Sequence, residues 1–151
     1  MLFYTNNLHK ENPKITIKKE EKLLNKKNLW CEIKRINMKY PEIVFAQAIL
    51  ESGNLSSSLC KKYNNLFGMR LPRKRKTTAI SESESKYAIY KDWSESVRDY
   101  KLFQEHIIIK GYNTSDKYIE YIDNKYSESA GYKEALYKII KDNSYLLYNY
   151  S

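Results

Sequence analysis

Glycine and proline are scarce in this chain of 151 residues, at four and three, so it is neither low in complexity nor built as a flexible linker. Cysteine is scarcer still. Cys31 and Cys60 stand apart, with no Cys-x-x-Cys pair, which removes a cysteine-based metal site and leaves two reduced structural thiols or one disulfide. The two histidines, His9 and His106, have no ligand-like neighbours and read as structural or exposed. No apolar run approaches the roughly 18 residues that would suggest a membrane span, and the start of the chain lacks a basic stretch followed by an apolar one. From the sequence, then, no membrane insertion and no secretory signal are expected, and a target outside the cytoplasm would need another route.

What the chain does have is charge and tyrosine. Lysine and arginine outnumber the acids 27 to 18, giving a net charge of +9, and fifteen tyrosines supply most of the aromatic content. Such a charge favours a polyanionic partner, whether nucleic acid, an anionic membrane face or the acidic polymers of a cell wall. The sharpest basic cluster is Arg70, Arg73, Lys74, Arg75 and Lys76. Pro72 and the threonines beside it offer neither a reading helix nor interleaved stacking aromatics, so nucleic-acid readout is not expected. The cluster fits a solvated loop or a surface that meets phosphate or carboxylate groups.

Along the chain, residues 1–27 form a polar, lysine-rich arm, and 28–151 have the length for one domain with a sizeable core. Leu29, Ile33, Ile36 and Tyr40 lie at helical spacing, with Trp30 beside them. A helix from Pro41 to Ser52 is apolar on nearly every side, with Pro41 in its first turn and Gly53 as its stop. Ser56, Ser57 and Ser58 offer caps for a short helix to Tyr63, and Asn64 and Asn65 then turn the chain. Thr77 to Ile80 and Lys86 to Tyr90 read as strands around a polar turn at Ser81 to Ser85. Asp92, with Glu95 three residues on, opens a helix that Gly111 ends. Further helices run from Thr114 or Ser115 to about Lys125, and through Tyr132 to Ile140. The expected fold is mostly α with one short β-hairpin.

Glu51 is the residue on which function turns. It falls in the last turn of the buried helix, where the negative end of the dipole and apolar surroundings disfavour a charged carboxylate. A carboxyl that keeps its proton is what a general acid needs; a side chain that merely reaches water is the plainer alternative. Gln47 precedes it by one turn on the same face, to line a cleft or to pack.

The stretch Gln47-Ala48-Ile49-Leu50-Glu51-Ser52-Gly53, followed by Asn64-Asn65-Leu66-Phe67-Gly68, resembles the motifs of the glucosaminidases of glycoside hydrolase family 73. Tyr87 to Trp93 and Ser96 to Tyr100 fit the family's aromatic and Ser-x-x-Asp-Tyr patterns. Tyr126 to Tyr132 keeps two tyrosines at the family spacing while lacking its Asp and Pro. The likeness spans residues 28 to 142 and implies a lysozyme-like helical domain, here read as a monomer, that cuts peptidoglycan after N-acetylglucosamine without metal or cofactor. It implies Glu51 as the acid and Tyr126 as a residue orienting substrate or acid. Phe67 would shape the floor beside the acid, and Gln47, Asn64, Asn65, Tyr90 and Trp93 would contact the sugar. For the two asparagines a turn-forming role stands beside that one.

Family members often carry a second glutamate in the hairpin. Here the threonines lead into Ala79 and Ile80, and Glu82 and Glu84 come only a few positions later, as second carboxylates or as members of a solvated turn. Without either, the acetamido group of the substrate can serve. A lysozyme or lytic transglycosylase of the same superfamily, and a wall-binding module without catalysis, are the rival readings.

Overall fold

The computed structural model describes residues 22–126 and 130–150. Among these, seven helices and one two-stranded sheet follow in the order α1 (Lys26–Arg35), α2 (Pro41–Glu51), α3 (Ser58–Tyr63), β1 (Ser81–Glu82), β2 (Ala88–Ile89), α4 (Trp93–Ile109), α5 (Ser115–Tyr126), α6 (Tyr132–Asp142) and α7 (Ser144–Asn149). The mostly α expectation with a single hairpin is met.

Helix α2 is the axis of the fold. Ile43 through Ile49 are all buried, as a helix apolar on every side requires, and α1 and α6 pack against it. Pro41 stands at its start, where no intrahelical N–H is needed. Helix α1 begins earlier than the apolar stripe implies, because Asn25 accepts a hydrogen bond from the Asn28 amide at 2.8 Å and caps it. It also ends earlier: Asn37 turns left-handed at φ 52°, so Ile36 and Tyr40 lie beyond its end. Residues 22–27, placed by sequence in the polar arm, include this cap and a docked lysine. Lys22 Nζ lies 3.0 Å from Glu32, and its carbonyl accepts from Trp93 Nε1 at 2.6 Å. The rest of the arm, with His9 and the leader question, lies outside the described residues.

The hairpin is displaced from its expected turn. Ser81 pairs with Ile89 and Glu82 with Ala88, so these residues belong to strands, and the reversal falls at Ser83 to Lys86. Lys86 adopts φ 66°, which gives a three-residue loop closed by a left-handed residue; this geometry needs no Asn-Gly tip. Asp92 caps α4 through the Ser94 and Glu95 amides, and Thr114 receives the Lys117 amide at the start of α5. Helix α7 has no counterpart in the sequence reading, since a six-residue helix burying only Leu147 leaves almost no periodic signal. Both cysteines are free thiols, Cys60 buried.

Candidate active site

Because α2 is buried up to Ile49, its last turn brings Glu51 out only half-way, and the carboxyl is partly covered. The Tyr132 hydroxyl donates to Glu51 Oε1 at 2.8 Å. Gln47 Nε2 donates in turn to that hydroxyl at 3.2 Å. On the far side of the amide, Gln47 Oε1 accepts from the Tyr100 hydroxyl, which also meets the hydroxyl of Tyr118. The single proton of Tyr100 goes to Gln47, so Tyr118 is the donor to Tyr100. Four donors therefore point the same way along Tyr118, Tyr100, Gln47 and Tyr132, and the line ends on the carboxyl of Glu51. Gln47, Tyr100 and Tyr118 are fully buried, where such a line is stiff and an orphaned member is costly.

These phenols stay neutral. Burial pushes Tyr132 far above the usual tyrosine range, and the charge of nearby Glu51 pushes it further. Tyr126 is raised by burial first, then by Tyr118 and by Glu51. Tyr132 thus acts as a hydrogen-bond donor and not as a base. The Tyr126 ring stacks on that of Tyr132 at 6.3 Å, and its hydroxyl reaches Met69 Sδ at 3.7 Å, a weak partner. The resemblance implies Tyr126 as the residue orienting substrate or acid and gives Tyr132 no role beyond its place at the family spacing. Tyr132 is hydrogen-bonded to Glu51, and its place at the family's second tyrosine is the signal the sequence offers.

The loop after α3 is fastened from within. Asn64 takes φ 55°, a conformation asparagine tolerates, and its Nδ2 donates to the carbonyls of Tyr90 at 3.0 Å and Lys91 at 3.3 Å. Asn65 is buried. Its Nδ2 donates to Met69 and Ala88 carbonyls, both at 2.9 Å, and its Oδ1 accepts from the Met69 amide at 3.0 Å. Phe67 is fully buried and stacks on Tyr100 with centroids 4.2 Å apart, so it supports the hydrogen-bonded line from behind. Tyr90 is 2% exposed and donates to Asp99 Oδ2 at 2.6 Å, while Trp93 is 6% exposed. Gln47, Asn65, Tyr90 and Trp93, which the resemblance implies as sugar contacts, and Phe67, which it implies as the floor beside the acid, are all buried.

Neither hairpin carboxylate touches this line of donors. Glu82 sits between Arg73 at 3.3 Å and Lys86 at 3.2 Å, which hold its carboxyl below the usual range, Lys86 foremost. Glu84 is exposed in the turn. The basic cluster is largely committed: Arg75 bridges buried Asp99 at 2.7 Å, Arg73 meets Glu82, and Arg70 donates to the Ser85 carbonyl and lies over Tyr87. Among the described residues no group of three or more His, Cys, Asp or Glu is arranged to hold a metal ion, and no helix is long and apolar enough to cross a membrane.

Comparison with known proteins bears on the fold and the family. Among solved structures, the catalytic domain of the autolysin Auto from Listeria monocytogenes superposes with a TM-score of 0.51 at 21% identity, covering 83% of this chain and 82% of that one. No curated protein matches the chain. The family model for glucosaminidase, described as mannosyl-glycoprotein endo-beta-N-acetylglucosaminidase, matches residues 27–145. The chain belongs to the glucosaminidase family and is a glycoside hydrolase.

Proposed function

We propose that the protein hydrolyses the β-1,4 bond after N-acetylglucosamine in peptidoglycan, with Glu51 as the general acid. The observation that carries this reading is the line of donors ending on Glu51 at the mouth of a buried helix. A carboxyl held by Tyr132, itself held by Gln47, keeps one orientation, and proton delivery to a bridging oxygen demands that. Tyr126, whose hydroxyl has a thioether as its hydrogen-bond partner among the described residues, is placed to turn to the sugar.

For the second group we favour the substrate. Glu82 is occupied by Arg73 and Lys86, which weakens it as base or nucleophile. The acetamido oxygen of the N-acetylglucosamine unit attacks its own anomeric carbon as the glycosidic C–O bond breaks. The proton of Glu51 passes to the departing oxygen. A cyclic oxazolinium forms, and water opens it while giving its proton back to Glu51, with net retention of configuration.

The test uses purified cell walls. Glu51→Gln is expected to lower turnover about a thousandfold with binding retained. Glu82→Gln and Glu84→Gln each cost well under the ~100-fold that marks loss of a proton-transfer group. Mass spectrometry of the fragments should show N-acetylglucosamine at the reducing end. An anhydro-muramic product would instead assign a lytic transglycosylase, and equal turbidity loss by parent and Glu51→Gln would leave only wall binding.

A further inference from the structure

A groove that adjoins the donor line, its floor residue Phe103 lying edge-on to Tyr100 at 5.5 Å, remains without a role. It lies between the loop 72–75, α4 and α5, has a volume of about 330 Å³, and is lined by Arg73, Lys74, Arg75, His106, Lys110 and Lys125 over a floor that includes Phe103. Glu51 is not among its walls. Its cations are of two kinds. Arg75 and Arg73 are engaged with Asp99 and Glu82. Lys74, Lys110 and Lys125 have no carboxylate partner among the described residues. Lys125 crosses the ring of Phe103 at 4.5 Å. Burial, then the charges of Arg75 and Lys110, hold its ammonium below the ordinary lysine range. Like charges are thus gathered in one concavity, and an entering anion relieves their repulsion.

We propose that this groove is a phosphodiester-binding site that grips the polyol-phosphate strand of an anionic wall polymer. The free cations are lysines, compact point charges that suit a tetrahedral phosphate, whereas the planar arginine fork best matched to a carboxylate is already taken by Asp99. Nucleic acid is disfavoured by the floor. Phe103 is 5% exposed and capped by Lys125, and half-buried Tyr121 already packs against Tyr112 at 4.5 Å, so the floor offers a base little stacking surface. A site of this kind would hold the enzyme on the wall between cuts. Only the choice of polymer rests on the hydrolase reading; the binding site itself does not.

The test measures binding of poly(glycerol phosphate) by titration calorimetry across a salt series, on full-length Glu51→Gln protein so that hydrolysis plays no part. Lys74→Gln with Lys110→Gln, both exposed positions, is expected to weaken binding about tenfold at low salt and to reduce the slope of log affinity against log salt by about 1 per lysine. Lys61→Gln with Lys141→Gln removes the same charge from exposed positions elsewhere and should change neither. With Glu51 restored, the groove variant should digest phosphate-free peptidoglycan at the parent rate, which separates failure of this site from failure of the catalytic reading. Equal weakening by both pairs, no binding of the polymer, or single-stranded DNA of the same phosphate number held as tightly through the same two lysines would each overturn the proposal.

Discussion

A carboxyl that must deliver a proton gains most from a neighbour that fixes its direction, and here that neighbour is Tyr132. Tyr132→Phe removes the hydroxyl from Glu51 and leaves the buried Gln47 amide without an acceptor. The expected costs are about 1–3 kcal/mol of stability and a 10- to 100-fold fall in kcat, roughly, with KM little changed. The pH profile separates orientation from folding. A hydrogen bond to a carboxylate favours its charged form, so its loss makes the acid hold its proton longer, and the alkaline limb of activity should move to higher pH. An unmoved limb with reduced stability would reduce Tyr132 to a structural part. Glu51 and Gln47 were legible in the sequence because one helical turn separates them. Tyr132 was not legible as a site residue. Its partner lies 81 positions away, and helical spacing marks a tyrosine on an amphipathic helix only as core.

Elements were legible where a local rule governs them. Pro41, Asp92 and Ser57 mark helix starts through a fixed φ or a side-chain cap, and each stands where the sequence placed it or within its cluster of candidates. The hairpin shifted because its turn is set by Lys86 at φ 66°, and nothing in a lysine advertises that conformation. The asparagine loop shows the same division. A turn was plain from two adjacent asparagines, but not that Asn65 would be buried and spend its amide on the hairpin backbone. Asn65→Ala would leave the Met69 amide and the Ala88 carbonyl short of a partner, while the Met69 carbonyl would keep the Ala88 amide. A loss of about 3 kcal/mol, seen as a fall of roughly 10 °C in Tm, is expected. Activity measured well below the new Tm should also drop, because Asn65 fastens the segment that carries Phe67 under Tyr100. Full activity there would free the loop from any part in shaping the site.

At the scale of the molecule, a chain carrying +9 must place its few acids well, and Glu32 is the clearest case. Its carboxyl is 3% exposed and lies 3.0 Å from Lys22, 2.6 Å from Arg35 and 3.8 Å from Arg98, so it joins the chain entering the domain to α1 and α4. The Arg35 hydrogen bond, aided by Lys22 and opposed by burial, lowers it from the usual 4.5 to about 2. Because the folded value lies below the unfolded one, the stabilisation is complete above about pH 4.5 and is lost as pH falls toward 2. The cationic heads are exposed and partly screened, so the contribution is discounted to about 2 kcal/mol. Urea unfolding of the parent and of Glu32→Gln at a series of pH values checks this. The stability gap between them should be constant above about pH 5 and narrow by about 2 kcal/mol on reaching pH 2. Parallel curves over that interval would mean that Glu32 titrates alike in both states, and that the three cations around it do not set the acid limit of the fold.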